Sequence, residues 1–214
     1  MEERHILIKK AIQHQENLAT KINLEWPKKK IRFIGGADAA YFNKKIVGVI
    51  TVLSFPELKL IESKRAIRKI EFPYIPSFLA FREMPVLVKA FQLIKRKPDV
   101  IIVDGNGIAH PRKMGLATQF GIELNVPTIG CAKTPFYSTR DPLSEKGSYK
   151  WIINEDGEIV GVALRTRSKI KPVYISPGHL IDLKISIKVI LGASIYRIPE
   201  PLRQAHLIAL KSLH

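Results

Sequence analysis

The hydrophobic positions of this chain form either short unbroken runs or helically spaced sets, and both patterns predict regular structure. Residues 100–103 are four apolar residues in a row, followed directly by Asp104 and the turn residues 105–107. An unbroken apolar run that ends in a glycine-rich turn is typical of a strand buried on both faces. A carboxylate at the carboxyl end of such a strand lies at the sheet edge where open α/β folds bind their ligands.

The same patterns along the rest of the chain predict an α/β protein. We expect a mixed sheet in the order βββαβα, continued by further strands and helices, with helices flanking it. The predicted helices are 2–22, 79–95, 114–124, 183–191 and 200–212. The predicted strands are 31–42, 46–55, 58–67, 100–104, 128–132, 151–153, 159–164 and 173–176. No repeat or long linker interrupts this order, so we expect a single domain over residues 1–214, with the N-terminal helix of residues 1–22 packed on it.

The composition is that of a globular protein, with 46% hydrophobic and 25% charged residues among 214. No apolar stretch is long enough for a membrane helix, and residues 1–13 lack the pattern of a signal peptide. The lone cysteine, Cys131, excludes an internal disulfide and a cysteine-rich zinc site. We therefore expect a cytoplasmic monomer that has no membrane partner.

The charge balance points to a polyanionic partner. The chain has 35 Lys and Arg residues against 19 Asp and Glu residues, a formal net charge of +16. The basic residues cluster at 28–30, 64–69, 95–97 and 165–171. Any one cluster is also consistent with a merely solvated surface, but four on one small domain favour contact with a nucleic-acid backbone. Whether that partner is DNA or RNA is left open.

Three acidic residues stand in unusual contexts. Asp38 interrupts an apolar strand close to Gly35 and Gly36, Asp104 ends the buried strand, and Glu83 lies near the start of a helix that follows a proline-rich loop. A carboxylate in such a setting is costly unless it is paired, hydrogen-bonded or bound to a cation. Magnesium takes oxygen ligands and needs few carboxylates when a phosphate also binds it. Taken singly, the three residues are also consistent with a bulge, a turn cap and a first-turn helix charge.

Six segments follow one another in a distinctive order and spacing. They are Ile34-Gly-Gly-Ala-Asp38, Pro73-Tyr-Ile-Pro76, Leu79-Ala-Phe-Arg-Glu83, 103–111, 127–133, and Pro199-Glu-Pro201 with His206. In these segments the chain resembles the endonuclease V family, nucleases that act at deaminated purines, and the resemblance covers nearly the whole chain. It implies an RNase H-like fold and a Mg²⁺-dependent DNA-repair enzyme, with Mn²⁺ as a substitute metal. It also implies hydrolysis of the second phosphodiester bond 3′ to deoxyinosine, which leaves a 3′-hydroxyl and a 5′-phosphate.

The resemblance assigns catalytic roles to five residues. Asp38 and Asp104 are similar to direct metal ligands, and Glu83 to a third acidic metal partner. Lys133 resembles the catalytic lysine and His206 the active-site histidine near the C-terminus. Without the resemblance, Lys133 is more typical of a solvated strand end and His206 of an exposed helix residue.

The resemblance also implies a base-recognition segment. Tyr74, bracketed by Pro73, Ile75 and Pro76, is similar to a wedge that takes the place of a flipped base. The resemblance also assigns four further residues to the pocket for that base: Ser77, Leu79, Gly107 and His110. Two positions depart from the common pattern: Ser77 stands where a glycine is usual, and Asn106 where a histidine is frequent.

Three functions are consistent with these features of the sequence. The first is an endonuclease that incises DNA beside deoxyinosine. The second is an endoribonuclease specific for inosine on the same scaffold. The third is a catalytically silent nucleic-acid-binding module, which the retention of all three carboxylates, Lys133 and His206 disfavours.

Overall fold

The computed structural model describes residues 2–212, which form one eight-stranded sheet and five helices. The strands are β1 (Phe33–Phe42), β2 (Lys45–Ser54), β3 (Leu60–Lys69), β4 (Val100–Val103), β5 (Thr128–Ala132), β6 (Tyr149–Ile153), β7 (Ile159–Leu164) and β8 (Val173–His179). The helices are α1 (Glu2–Ala19), α2 (Leu79–Gln92), α3 (Leu116–Leu124), α4 (Leu183–Gly192) and α5 (Glu200–Lys211). None of these helices has the length and apolarity to cross a membrane. Met1, Leu213 and His214, at the ends of the predicted domain, lie outside the described residues.

The strands are arranged in the order β3-β2-β1-β4-β5-β8-β7-β6. β1, β2 and β3 form an antiparallel meander, and β4 and β5 run parallel to β1. β8, β7 and β6 extend the sheet through antiparallel pairs. The predicted mixed sheet in the order βββαβα is confirmed. Because β1, β4 and β5 point the same way, residues that follow β4 and β5 share one edge of the sheet.

The central strand β4 explains why its sequence is apolar without alternation. All four of its residues are buried. Ile101 and Val103 pack into a core with α2 and α3, whereas Val100 and Ile102 pack into a second core with α4. Because helices cover both faces of this strand, successive side chains must all be apolar.

Helix α5 lies directly on β1 because Gly36 has no side chain. A Cβ at this position would lie 2.1 Å from the carbonyl oxygen of Pro201 in the first turn of α5. The Thr51 hydroxyl, on the neighbouring strand, donates a 2.8 Å hydrogen bond to the same carbonyl. This close approach places the middle of α5, including His206, beside the second half of β1.

Several predicted boundaries were wrong by a few residues. The first helix ends at Ala19, not at residue 22, because Ile22 leaves the helix and packs with Ile108 and Val160. The last strand continues to His179, not to residue 176, because it pairs with β5 as far as Thr128. The other predicted elements match the observed ones to within three residues at each end.

We expect Gly36→Ala to destabilise the protein strongly. The added methyl group has no space against the α5 backbone, and overpacking that forces backbone to shift costs about 1–3 kcal/mol. The midpoint of urea unfolding measures the loss. Gly35→Ala is the matched control on the opposite face, since its Cβ would meet side-chain atoms of Pro98 and Ile101 at 3.0 and 3.1 Å. A smaller loss is expected there, and equal losses would contradict this account.

Candidate active site

Two aspartates lie side by side at the sheet edge where the parallel strands end. Ala37 of β1 pairs with Val103 of β4, so the next residues, Asp38 and Asp104, are at the same level. The backbone N–H of Asp104 donates to the Ala37 carbonyl at 2.9 Å, which holds this register one residue beyond β4. Together with Glu83 of α2, the two aspartates line one open cleft. The three predicted carboxylates are thus brought to one place.

Asp38 is almost completely buried, with 4% of its surface exposed. Burial, and then the negative charge of Asp104, raises the pKa of Asp38 to about 6. His206 Nδ1 lies 2.7 Å from Asp38 Oδ2, and this hydrogen bond lowers the same pKa. His206 therefore stabilises the carboxylate form of Asp38, and α5 contributes to the site through this contact.

Glu83 lies at the bottom of the cleft, 7% exposed. Burial is the main reason that the pKa of Glu83 is raised to about 8, and the charges of Asp38 and Asp104 add to it. The Tyr41 hydroxyl donates a 2.8 Å hydrogen bond to Glu83 Oε1, which opposes the shift. Tyr41 was not among the predicted site residues, although it lies only three residues after Asp38 on the same strand.

Lys133 follows β5 immediately and enters the same cleft. Its ammonium Nζ is in direct contact with Asp104 Oδ2. Burial alone would lower the pKa of Lys133, but the Asp104 carboxylate raises it overall. The lysine is therefore charged beside the acidic residues, and about half of its side chain, 45%, remains open to solvent.

The donor set fits a hard divalent cation. Three carboxyl groups share one cleft, and burial raises the pKa values of Asp38 and Glu83 because it disfavours their charged forms, which a bound cation would stabilise. Within residues 2–212, no three His, Cys, Asp or Glu side chains lie together in a position to hold a metal ion as they stand. Lys133 and His206 instead bond to Asp104 and Asp38, so they occupy oxygen atoms that a cation could share.

A second cleft adjoins the acidic one and shares four of its lining residues: Leu79, Gly105, Asn106 and Thr134. Pro76, Ser77 and His110, all predicted for base recognition, line this second cleft as well. Tyr74 lies at its rim with 70% of its surface exposed. The two residues beside Tyr74 do not line the cleft. Ile75 is buried and holds the loop in place, and Pro73 is exposed.

Gly107 was predicted as part of the pocket but lies beneath it. A Cβ on Gly107 would lie 2.0 Å from the carbonyl oxygen of Pro177 in β8. Its backbone N–H donates to Ser176 Oγ at 2.8 Å. Gly107 therefore allows the turn after β4 to pack against β8 and supports the pocket from below.

Ser77 adopts the left-handed backbone conformation, with φ of 67°. Glycine adopts this region without steric cost, so the backbone here suits the glycine that the resemblance led us to expect. In this chain the serine hydroxyl accepts a 2.7 Å hydrogen bond from Arg112 Nη2. This charge-assisted bond compensates for the backbone strain.

Arg112 and Gln15 form a partly buried hydrogen-bond network around Ser77, which was not predicted from the sequence. Arg112 Nε donates to Gln15 Oε1 at 2.6 Å, and Gln15 Nε2 donates to the Ser77 carbonyl at 3.2 Å. Gln15 is fully buried on the face of α1 that also carries Ala11 and Ile12. A polar residue on that apolar face was the one signal in the sequence. The network ties α1 to the pocket loop.

His110 is held in one neutral form by the same loop. Its Nε2–H donates to the Ser77 carbonyl at 2.9 Å, and its Nδ1 accepts from the Arg112 backbone N–H at 3.3 Å. Burial lowers the pKa of His110 to about 4. The pocket therefore presents an uncharged imidazole at neutral pH.

Known proteins are similar in sequence to this chain over nearly its whole length. The family model for endonuclease V matches residues 16–207. An endonuclease V from Dictyoglomus turgidum is 49% identical over 207 residues, which are 95% of this chain and 90% of that protein. The chain belongs to the endonuclease V family. The resemblance inferred from its motifs is confirmed.

Solved structures of endonuclease V agree with the fold. The Streptomyces avermitilis protein superposes with a TM-score of 0.91 at 36% identity, over 96% of this chain and 92% of that one. The Ciona intestinalis protein, crystallised with a 24-mer DNA containing an inosine followed by a ribo-adenosine, superposes with a TM-score of 0.87 at 30% identity. That match covers 97% of this chain and 98% of the other. The predicted fold class and the prediction of a deoxyribonuclease V-type enzyme are confirmed, in a family of metal-dependent nucleases that act on deaminated nucleotides.

We expect the glycine variant of Ser77 to be more stable than the alanine variant, the reverse of the usual order. Ser77→Ala loses the bond to charged Arg112, about 1.5–3 kcal/mol, and keeps the left-handed strain. Ser77→Gly loses the same bond but relieves a strain of about 1–2 kcal/mol, so it is the more stable of the two variants. Urea unfolding of both proteins gives the order.

The Arg112→Met background is the control for this comparison. With the guanidinium absent, the hydroxyl has no charged donor, and Ser77→Gly should become neutral or stabilising. A glycine variant less stable than the alanine variant would refute the role assigned to the positive φ of Ser77.

Proposed function

We propose that this endonuclease V incises DNA that contains deoxyinosine, the product of adenine deamination, as a step of DNA repair. The proposed cleavage is at the second phosphodiester bond 3′ to the lesion, leaving a 3′-hydroxyl and a 5′-phosphate. One observation carries the proposal: the acidic cleft and the pocket beneath Tyr74 share a wall, so that one strand can reach both. The Ciona intestinalis relative, which was crystallised with inosine-containing DNA, supports the same substrate.

We assign the metal site to Asp38, Asp104 and Glu83, with Mg²⁺ as the proposed ion and Mn²⁺ as a substitute. When bound, the ion supplies activation of water and stabilisation of the leaving oxygen. The chain's own residues prepare the site for it. His206 keeps Asp38 in its carboxylate form, and the Tyr41 hydroxyl fixes one oxygen of Glu83.

We assign Lys133 to the scissile phosphate. Its ammonium is charged, half exposed, and held beside Asp104 at the mouth of the cleft. A fixed positive charge there stabilises the negative charge that builds up on the phosphate during hydrolysis. We assign His206 to the same reaction through its hydrogen bond to Asp38, and 44% of its side chain remains exposed.

We assign base recognition to the second cleft. The pocket residues Ser77 and His110 are held rigidly by Arg112 and Gln15, so the pocket exists before the base arrives. The exposed Tyr74 ring, between two prolines, offers a stiff surface that occupies the gap left by a flipped base. The Arg82 guanidinium lies 5.9 Å from the Tyr74 ring and 5.0 Å from the Tyr41 ring. Arg82 therefore links Tyr74 to Tyr41, which is hydrogen-bonded to Glu83.

Cleavage of inosine-containing RNA is the second candidate function. The inosine in the Ciona intestinalis complex is followed by a ribo-adenosine, so that relative accommodates a 2′-hydroxyl next to the lesion. A contact to the 2′-hydroxyl decides between DNA and RNA at such a site.

The test compares matched DNA and RNA strands that each carry one inosine, with Mg²⁺, with Mn²⁺ and with chelator. We expect DNA cleavage that requires the metal and falls at least about 100-fold in Asp104→Asn, because the site loses a charged ligand. Binding of the inosine strand in chelator should be largely retained. Asp141→Asn, which changes an exposed carboxylate outside both clefts, is the control. Full activity of Asp104→Asn would refute the metal assignment, and faster cleavage of RNA would favour the second candidate.

We expect Tyr74→Ala to reduce discrimination between inosine and normal bases about tenfold or more. The unstacking of a flipped base costs a few kcal/mol, and the ring offsets part of that cost. Ratios of kcat/KM for inosine and adenine substrates measure the effect. Tyr74→Phe should retain discrimination because it keeps the ring. Tyr196→Ala removes a 48% exposed ring outside both clefts and should leave discrimination unchanged. Unchanged selectivity in Tyr74→Ala would contradict the wedge role.

A further inference from the structure

Two exposed aromatic rings lie side by side on the edge strand β6. Tyr149 and Trp151 are 41% and 44% exposed, and their ring centroids are 4.9 Å apart. They are two residues apart on a strand, so they project from the same face of the sheet. Large aromatic side chains exposed as a pair usually mark an interaction surface. The nuclease site described above does not use them.

The aromatic pair and Lys133 lie at the same end of the strands, since the start of β6 is level with the carboxyl end of β5. Ala132 pairs with Tyr174, Tyr174 with Ala163, and Ala163 with Lys150, so these four residues form one row across the sheet. Lys150 stands between the two aromatic residues. Three strand spacings separate it from Ala132, which is about 14 Å. At about 3.4 Å per nucleotide along a helical strand, this distance is about four nucleotides.

Basic loops surround this end of β6. Arg167, Lys169 and Lys171 belong to the basic cluster at 165–171 found in the sequence, and they are exposed. The loop before β6, which contains the exposed Lys146, is tied to this cluster: Lys146 N–H donates to Ser168 Oγ at 3.0 Å. Asp141 and Glu145 are the acidic residues in 140–150 and 165–171, against seven basic ones. The charge at this end of the strand therefore attracts a polyanion.

Arg197 joins the basic cluster to the active site. Its guanidinium donates to the carbonyl of Lys133 at 3.3 Å and to the carbonyls of Lys171 and Pro172 at 3.1 and 2.9 Å. The far end of β6 is different, since Glu155, Asp156 and Glu158 surround its hairpin turn. A nucleic-acid strand is therefore favoured only over the end of β6 that lies near Lys133.

We propose that Tyr149 and Trp151, with the basic residues of 146–150 and 165–171, form a platform that binds an unpaired stretch of the substrate strand about four nucleotides from the cleavage site. Aromatic rings beside a basic groove bind single strands by base stacking, whatever the sequence. A second copy of the chain fits this surface poorly because each copy carries a formal charge of +16. The Thr139 hydroxyl also donates to the Trp151 carbonyl at 3.0 Å, which occupies part of the free strand edge. The inference rests on the proposed function in that the bound partner is the nucleic-acid substrate.

The experiment measures binding in chelator, where cleavage is suppressed, for two inosine-containing probes. One is a fully paired duplex, and the other is the same duplex with an unpaired flank of two to eight nucleotides on either side. We expect the Tyr149→Ala/Trp151→Ala protein to lose about tenfold in affinity once the flank on one side exceeds about four nucleotides. Its affinity for the fully paired duplex should stay within about twofold of the unaltered protein.

Two matched variants control for folding and for simple loss of apolar surface. Trp151→Phe retains a ring and should keep the affinity. Ile153→Ala lies on the same strand, 48% exposed before substitution, and should change nothing because no aromatic ring is lost. Equal losses for paired and unpaired probes, no loss with long flanks, or a dimer that dissociates on Trp151→Ala would each overturn the platform.

The fluorescence of Trp151 separates this inference from the proposed function. The chain has two tryptophans, so Trp151→Phe leaves Trp26 as the reporter of folding. An inosine-free single strand should quench the unaltered protein and not Trp151→Phe. Quenching without cleavage beside inosine would support the platform and refute the proposed function. Cleavage without quenching would refute the platform alone.

Discussion

The site depends on the compensation of negative charge at one edge of the sheet. Asp38, Glu83 and Asp104 share a cleft in which two of the three are buried, and burial raises the pKa of both Asp38 and Glu83. Isolated carboxylates in such a place would be protonated or would destabilise the fold. Each one has a partner from this chain: His206, Tyr41 and Lys133 contact Asp38, Glu83 and Asp104, respectively.

These partners come from three different parts of the fold, so the whole architecture supports the charge balance. Tyr41 is on β1, Lys133 follows β5, and His206 is on α5 near the C-terminus. Only the parallel arrangement of β1, β4 and β5 brings the first two together. The third depends on Gly36, because a side chain there would push α5, and with it His206, away from Asp38.

The sequence predicted most of the fold because its strongest signals are local. The unbroken run before Asp104 follows from burial on both faces of β4, and helical spacing located all five helices. The ends of elements were less predictable, since Ile22 and His179 are placed by distant partners. The cleft that unites the three carboxylates was expected from a family resemblance. Without it, each carboxylate could also be explained singly, as a bulge, a turn cap or a first-turn helix charge.

The supporting residues of the pocket escaped prediction for a physical reason. Gln15 and Arg112 are 97 positions apart, and their hydrogen bond exists only after α1 has docked. Ser77 was noted in the sequence only as a departure from glycine, and its hydrogen bond to Arg112 likewise joins residues far apart in the chain. The substitution is therefore coupled to a residue that no local pattern singles out.

The same charge balance bears on how a polyanion reaches an acidic centre. The chain carries a formal charge of +16, but its cleft is lined by acidic residues whose negative charge repels phosphate. Attraction therefore has to come from residues around the cleft. Lys133 at its mouth and the cluster at 165–171, linked through Arg197, provide positive charge on one side. Because Lys133 is also the partner of Asp104, a cation that takes over Asp104 would free the ammonium for the phosphate, so metal and substrate binding should favour each other.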